Sequence, residues 1–323
     1  MKRVLTGIQS SGTPHLGNIL GAILPAIELS KKIESFLFIA DLHALTTLKN
    51  KDLVKKNSLE TAAAWLAFGL DTSKNVLYKQ SDVPQVTELM WYLNCITPYP
   101  MLANAHSFKD KSNNLSDINA GLFTYPVLMA ADIILYNADT VPVGKDQLQH
   151  LEITRDITNK FNNHFGDTFV IPEARVKEDT LIVPGTDGRK MSKSYSNTIN
   201  ILGSENTIKK QIMGIITDSK GLEEPKDPYN CNIFKIYKLL ASDFETEKLR
   251  LKYLNGGFGY GHAKKELFEL IVKKFEKPRK NFDELMDSHE IITSELKRGS
   301  EIANETANSV LKKVRLNLGL VRA

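Results

Sequence analysis

Cysteine is nearly absent. Cys95 and Cys231 are the only two in 323 residues, and no C-x-x-C pair exists. That argues against a cysteine zinc site or a disulfide framework and leaves two reduced thiols as the plain account. Long apolar runs are missing too. Stretches such as Phe36 to Ala40 fall far short of the roughly 20 residues needed to cross a bilayer. The basic start, Met1-Lys-Arg3, is followed by polar Gln9-Ser-Ser11 before any signal-peptide core develops. Neither sign of charge dominates: 42 Lys and Arg against 38 Asp and Glu leave +4, which permits an acidic partner such as RNA without demanding one. No internal repeat or low-complexity segment is present. What remains is a cytoplasmic globular chain, 42% hydrophobic and 25% charged, large enough for one big core or two domains.

Short β-rich runs alternate with helical patterns in the first half. Val4-Leu-Thr6, Ser35 to Ala40, Val76-Leu-Tyr78, Ala138 to Val143 and Thr180 to Val183 read as strands. Helical spacing is predicted over 17–32, 53–70, 85–95 and 146–161. Strand and helix in alternation predict an α/β fold, a doubly wound parallel sheet whose ligands bind beyond the strands' carboxyl ends. Past about Asn200 the strand signals stop. Helices are predicted over 208–216, 233–241, 262–275 and 291–316, punctuated by Gly256-Gly257 and Lys277-Pro278, so a second, all-helical domain is expected. Its lysine clusters, such as Lys312-Lys-Val-Arg315, fit an RNA face or a solvated helix surface equally well.

Three stretches carry chemistry. In Lys190-Met-Ser-Lys-Ser194 two lysines flank short side chains in a loop expected just past a strand, an arrangement suited to closing on a polyphosphate as charge shifts to a leaving group. An exact five-residue string of this kind arises by chance in about one chain in ten thousand of this length. Gly7-Ile-Gln-Ser-Ser-Gly-Thr-Pro-His-Leu-Gly-Asn18 follows a strand and opens a helix, where main-chain N–H groups can meet an anion. His15 and Asn18, one turn apart, can donate to the same phosphate. A P-loop is disfavoured because Thr13 stands where its lysine belongs, and a dinucleotide fingerprint is absent. The third stretch, Gly144-Lys-Asp-Gln147, follows a strand; Asp146 suits ribose hydroxyls and equally a helix N-cap.

One further feature stands out in Thr124-Tyr-Pro-Val-Leu-Met-Ala-Ala-Asp-Ile-Ile-Leu-Tyr136, a nearly apolar run with a single carboxylate. Pro126 suits the first turn of a helix. A helix starting there sets Tyr125, Met129, Asp132 and Tyr136 on one face. An inward carboxylate is costly unless something donates to it. Asp132 is either a ligand-reading group or a structural carboxylate bonded to a main-chain N–H or a tyrosine.

The string at Lys190 to Ser194 is the one found in class I aminoacyl-tRNA synthetases, and His15-Leu-Gly-Asn18 looks like that family's first motif, with Asn18 at its last position as in the tryptophanyl branch. Ala130-Ala-Asp-Ile133, Val141-Pro-Val-Gly144 and His150-Leu-Glu-Ile-Thr-Arg-Asp156 are similar to bacterial tryptophanyl-tRNA synthetases, and the resemblance covers nearly the whole chain. Ser10 departs from that branch, which usually has proline there. The tyrosyl branch, the nearest alternative, typically has glutamine in the position of Met129. A non-catalytic tRNA-binding paralogue is the other alternative.

The resemblance implies a Rossmann-like catalytic domain over 1–189, a loop and helical anticodon-binding domain over 190–285, and a C-terminal helix over 286–323 packing back toward the catalytic domain. It implies ATP as substrate with Mg2+, tryptophan and tRNA(Trp) as partners, a homodimer, and neither DNA nor membrane. Lys190, Lys193, His15, Asn18 and Lys111 would serve the phosphates. Gln9, Ser10, Ser11, Gly17, Gly144, Lys145 and Asp146 would hold the nucleotide, with the main chain near Leu181 at adenine and Met191, Ser192 and Ser194 completing the loop. Asp132 would accept the indole N–H beside Met129, since indole has one donor and no acceptor. Leu5, Gly7, Ile133, Val141 and Val143 would line that pocket, and Tyr125, Gln147 and His43 would hold the ammonium and carboxylate. No protein-held metal is expected.

Overall fold

The strand–helix alternation takes the form of one five-stranded parallel sheet in the computed structural model, which describes residues 3–105, 108, 118–144, 147–176 and 182–320. β1 (Arg3–Gln9), β2 (Glu34–Ala40), β3 (Val76–Lys79), β4 (Thr140–Val143) and β5 (Glu173–Val176) lie in the order β3-β2-β1-β4-β5. β1 pairs with β2 from Arg3 opposite Glu34 to Gln9 opposite Ala40, and meets β4 on its other side at Val4 opposite Thr140. The strand order reverses at β1, so the crevice beyond the carboxyl ends of β1 and β4 is where such a sheet opens to a ligand.

Side chains alternate across the sheet. Leu5, Phe36, Phe38, Val76 and Tyr78 join one buried layer; Ile8, Leu37, Ile39 and Leu77 join the other. Both faces of β2 are covered, which is why it reads as an unbroken apolar run. Burying each such side chain contributes about 1.5–3 kcal/mol.

Helices cover the sheet in chain order. α1 (Leu16–Asn18) passes through a π turn at Ile19–Ile23 into α2 (Leu24–Ser30), where the sequence predicts one uniform helix. α3 (Asp41–Ala44), α4 (Lys51–Ala67), α5 (Gln85–Asn94), α6 (Tyr99–Ala103), α7 (Ala120–Ile134) and α8 (Leu148–Phe165) complete the α/β part. The helical part comprises α9 (Glu205–Met213), α10 (Asn232–Leu240), α11 (Asp243–Asn255), α12 (Tyr260–Lys274), α13 (Glu276–Asp287) and α14 (Glu290–Asn317). Its apolar side chains, among them Ile208, Phe234 and Leu267, merge with Ile19, Trp65 and Leu77 in one buried cluster. α14 runs along β3 so closely that a Cβ on Gly299 would overlap the Leu77 carbonyl. Among the described residues no helix is long and apolar enough to cross a membrane.

Three expectations need correction, and one helix is not anticipated by the sequence. The fifth strand among the described residues is Glu173–Val176; of the expected Thr180 to Val183, Thr180 and Leu181 lie outside the described residues, and Ile182 and Val183 lie outside any strand. Glu173, Ala174 and Arg175 are exposed at the sheet edge, so no burial pattern marks the strand, and its charges suit an unpaired edge. Pro126 lies inside α7 rather than in its first turn; Asn119 caps the helix by accepting from the Leu122 N–H at 3.0 Å. The proline cannot donate to the Leu122 carbonyl one turn back. Pro278 opens α13 instead of breaking the chain, because proline is tolerated in a first turn. α11 escapes the periodicity reading because it buries only Leu249 and Tyr253.

Replacing Gly299 with alanine should cost about 1–3 kcal/mol or more, since backbone must move to admit the methyl group. Gly261→Ala, in a helix with open space around that position, should be neutral or stabilising by up to about 1 kcal/mol. Urea midpoints of the two variants test the contrast.

Candidate active site

The segment after β1 returns into the protein before its helix begins. Ser10 is fully buried, with Ser58 Oγ of α4 donating to its Oγ at 3.5 Å. Gly12 adopts φ +130°, a conformation other residues rarely reach. Thr13 Oγ1 donates to Glu60 Oε2 at 2.6 Å, which ties the turn to α4. His15 then caps α1. Its Nδ1 accepts from the Asn18 N–H at 3.3 Å, and Asn18 Oδ1 accepts from the His15 N–H at 3.2 Å. Burial, followed by the nearby Lys193 charge, pulls the His15 imidazole down to about pKa 4, so it is neutral at physiological pH. With Nδ1 accepting, the ring proton sits on Nε2, which is left to donate.

The loop from residue 184 to 200 docks on this helix start. Pro184 and Lys190 form an isolated antiparallel bridge. Asn197, buried within the loop, donates from Nδ2 to Asp187 Oδ1 at 2.7 Å and to the Lys190 carbonyl at 3.1 Å, and accepts from the Ser192 N–H at 2.8 Å. Ser192 Oγ accepts from the Ser194 N–H, forming a short turn over Lys193–Tyr195. Met191 is buried, and its Sδ accepts from the Gly17 N–H at 3.3 Å. The Leu16 N–H donates to the Ile199 carbonyl at 2.9 Å.

These contacts change the expected use of the helix start. The main-chain N–H groups of Leu16, Gly17 and Asn18 already have acceptors: a carbonyl, a thioether and an imidazole. The space over Gly17 is taken as well, since a Cβ there would sit 2.9 Å from His15 Cε1 and 3.3 Å from Met191 Cβ. An anion at this point must therefore be met by side chains. Lys193 is the best placed: its Nζ lies 3.1 Å from where a Cβ on Gly12 would be. Burial draws the Lys193 ammonium down to about pKa 8, with the Glu60 carboxylate opposing the shift. Lys190 is exposed. Lys111, Lys145, Asp146 and Leu181 lie outside the described residues.

The second half of the site lies across β1. Asp132 is buried in α7, at 2% exposure, and among the described residues the donors that hold it are the side chains of Gln80 and His43 rather than a main-chain N–H or a tyrosine. Gln80 Nε2 donates to both of its oxygens at 2.8 Å. His43 Nε2 lies 2.9 Å from Oδ2 and carries the proton, since a carboxylate only accepts. Burial raises the Asp132 pKa, while the contacts from His43 and Gln80 oppose that rise. Tyr125, on the same helix face, has its hydroxyl 3.0 Å from His150 Nε2 and stands edge-on to the His43 ring. Met129, Val143, Gly144 and Gln147 are half-buried, and the Gln147 N–H donates to the Gly144 carbonyl at 2.9 Å. Gly7 is exposed, with the Phe38 ring lying where its side chain would be. Leu5, Ile133 and Val141 are buried core residues. Gln9 Nε2 donates to the His43 carbonyl at 3.2 Å, joining β1 to the turn after β2. Among the described residues no group of three or more His, Cys, Asp and Glu side chains is gathered that could hold a metal ion.

Two residues escaped the sequence reading. Gln80 stands one position past β3, and the rule that sites lie beyond strand ends would have found it had it been applied to that strand. Asn197 carries no comparable signal, because its role depends on loop geometry alone.

The arrangement has close counterparts. A family model described as tRNA synthetases class I (W and Y) matches residues 1–276. A tryptophan–tRNA ligase of Campylobacter jejuni is 48% identical over 318 residues, spanning 98% of this chain and 100% of the relative. One from Rhodopirellula baltica is 47% identical over 318 residues, spanning 98% of this chain and 99% of the relative. The crystal structure of tryptophanyl-tRNA synthetase from Campylobacter jejuni complexed with ADP and tryptophan superposes with a TM-score of 0.94 at 48% identity, covering 98% of this chain and 100% of that one.

The Lys193 environment generates a test. Inorganic tripolyphosphate binding, measured by calorimetry from pH 6.5 to 9.5, should weaken as the pH rises through about 8 and the ammonium loses its charge. Lys193→Arg, which stays charged throughout, should remove that limb.

Proposed function

The chain belongs to the tryptophan- and tyrosine-specific class I tRNA synthetases, among their tryptophan–tRNA ligases, and from that premise we propose how its residues divide the reaction. The enzyme joins L-tryptophan to ATP, giving tryptophanyl-adenylate and pyrophosphate, and then passes the tryptophan to the terminal ribose of its tRNA. No side-chain nucleophile is required: the substrate carboxylate attacks the α-phosphorus, and the terminal ribose hydroxyl attacks the resulting anhydride. Catalysis is therefore positioning and charge stabilisation.

The observation that carries this division is the docking of the Lys190–Ser194 loop on the His15–Asn18 helix start, with Asp132 buried across β1. Lys193 meets the pyrophosphate end, with Lys190 beside it. Neutral His15 donates from Nε2, and Asn18 offers its Nδ2, toward the phosphates. Gln9, Ser11 and Gly144 frame the nucleotide, while buried Ser10 and Gly17, covered by His15 and Met191, support the turn beneath it; Lys111, Lys145, Asp146 and the main chain at Leu181 are assigned by resemblance. Magnesium enters as part of the substrate Mg-ATP, bound through the triphosphate oxygens as that ion commonly is. Asp132 reads the indole N–H against Met129, and Tyr125, His43 and Gln147 hold the amino-acid head group. A site that presents an acceptor for one N–H disfavours phenylalanine, which would leave the carboxylate short of a partner.

The helical part over 190–285 takes the anticodon end of the tRNA, and the chain works in the cytoplasm as a homodimer.

ATP–pyrophosphate exchange with each amino acid in turn tests the assignment. Tryptophan alone should stimulate it; stimulation by tyrosine alone, or by none, would replace this reading with the tyrosyl or the non-catalytic one. Lys193→Ala should slow adenylate formation by about a hundredfold or more, as loss of one charge-stabilising donor does, with tryptophan binding changed far less. Equal losses in both would remove Lys193 from its role.

A further inference from the structure

The turn that follows β3 belongs to none of the motifs, yet it reaches both buried carboxylates beside the pocket. Gln80 and Ser81 are consecutive in the short turn Gln80–Asp82. Ser81 holds Asp41 through its N–H, 2.9 Å from Oδ1, and its hydroxyl, 2.5 Å from Oδ2. Gln80 is fully buried and uses both ends of its amide. Nε2 donates to Asp132 Oδ1 and Oδ2, and Oε1 accepts from the Leu42 N–H at 3.1 Å and the His43 N–H at 3.3 Å. A carboxylate only accepts and a main-chain N–H only donates, so the amide fits one way round.

We propose that Gln80 is a positioning residue for amino-acid specificity: it fixes the Asp132 carboxylate so that one acceptor position on Oδ1 faces the substrate, and it locks that carboxylate to the turn carrying His43. The count of donors supports this. An ionised carboxylate has about four acceptor positions. Gln80 takes one on each oxygen and His43 takes another on Oδ2, leaving one on Oδ1 for a ligand with a single N–H.

The charge state of Asp132 rests on the same contacts. The ionisable groups facing it are His43 and Asp41 from the turn after β2, Tyr78 from β3, and Tyr136 just past α7. Burial and Asp41 favour the neutral acid; His43 and Gln80 favour the carboxylate. Removing the Gln80 donors takes away one of the contacts that oppose the rise.

The inference rests on the tryptophan-activating reading, and the test separates the two. Tryptophan-dependent ATP–pyrophosphate exchange is measured from pH 5.5 to 8 for the unmodified enzyme, Gln80→Met and Gln80→Glu, with thermal melts to confirm folding. Gln80→Met keeps the length but removes the donors. Its KM for tryptophan should rise about ten- to a hundredfold, as expected for a lost hydrogen bond to a charge, and more at pH 5.5 than at pH 8. The KM for ATP should stay within about twofold, and preference for tryptophan over phenylalanine should fall. In Gln80→Glu the introduced carboxyl donates only while protonated, so its KM for tryptophan should improve toward acid pH, the opposite trend. Opposite trends cannot come from a packing defect common to both variants. Parallel losses for tryptophan and ATP, or unchanged pH profiles and amino-acid preference, would overturn the role. If Gln80→Met does not fold, the direction of the Gln80→Glu trend decides. Absence of tryptophan-dependent exchange in the unmodified enzyme would instead overturn the assigned reaction.

Discussion

The start of α1 presents three main-chain N–H groups that no helix can satisfy internally, and the way they are satisfied organises the nucleotide half of the site. An unpaired donor of this kind must find a partner or stay in water. Leu16 and Gly17 find theirs in a segment more than 170 residues away, at Ile199 and Met191. Asn18 finds its partner in the capping imidazole of His15. The same obligation that would make a bare helix start attract phosphate here draws the lysine loop onto it. Loop and helix thus form one surface, on which Lys193 lies against Gly12.

The partners are of graded strength. A carbonyl is a good acceptor and a thioether a weak one. The Ile199 contact therefore anchors the base of the loop, while the Met191 contact can be given up at little cost. Asn197 works at a different level. Bonded to Asp187, Lys190 and Ser192, it stiffens the loop internally, so that the two lysines shift together if the loop shifts.

Much of this architecture was legible in the chain, and the exceptions have physical causes. β1, β2 and β3 are visible because burial on the sheet faces forces apolar residues onto them. β5 is not, because Glu173 and Arg175 sit exposed at an edge where burial imposes nothing. The inward face of α7 was readable from the spacing of Tyr125, Met129 and Asp132, although the helix begins six residues before Pro126. The candidate site residues are those that a motif or an out-of-place charge marks in the sequence. Gln80 was missed because a glutamine after a strand is unremarkable as a letter; only its two-ended bonding distinguishes it. The occupied N–H groups of α1 were equally hidden, since local sequence does not say which distant acceptor will reach a helix start.

Burial acts on both halves of the site, with opposite results. It weakens charge on His15 and Lys193, and it raises the pKa of Asp132, where Gln80 and His43 oppose it. Lys193 therefore holds its proton less firmly than a surface lysine would. Neutral His15 can donate without repelling Lys193. An anion beside Lys193 would raise its pKa by direct attraction and hold the ammonium more firmly. The carboxylate of Asp132 differs, because Gln80 and His43 hold it with fixed donors. Under the proposed division of the reaction, the adjustable charge would lie where charge is redistributed and the fixed charge where the substrate is identified.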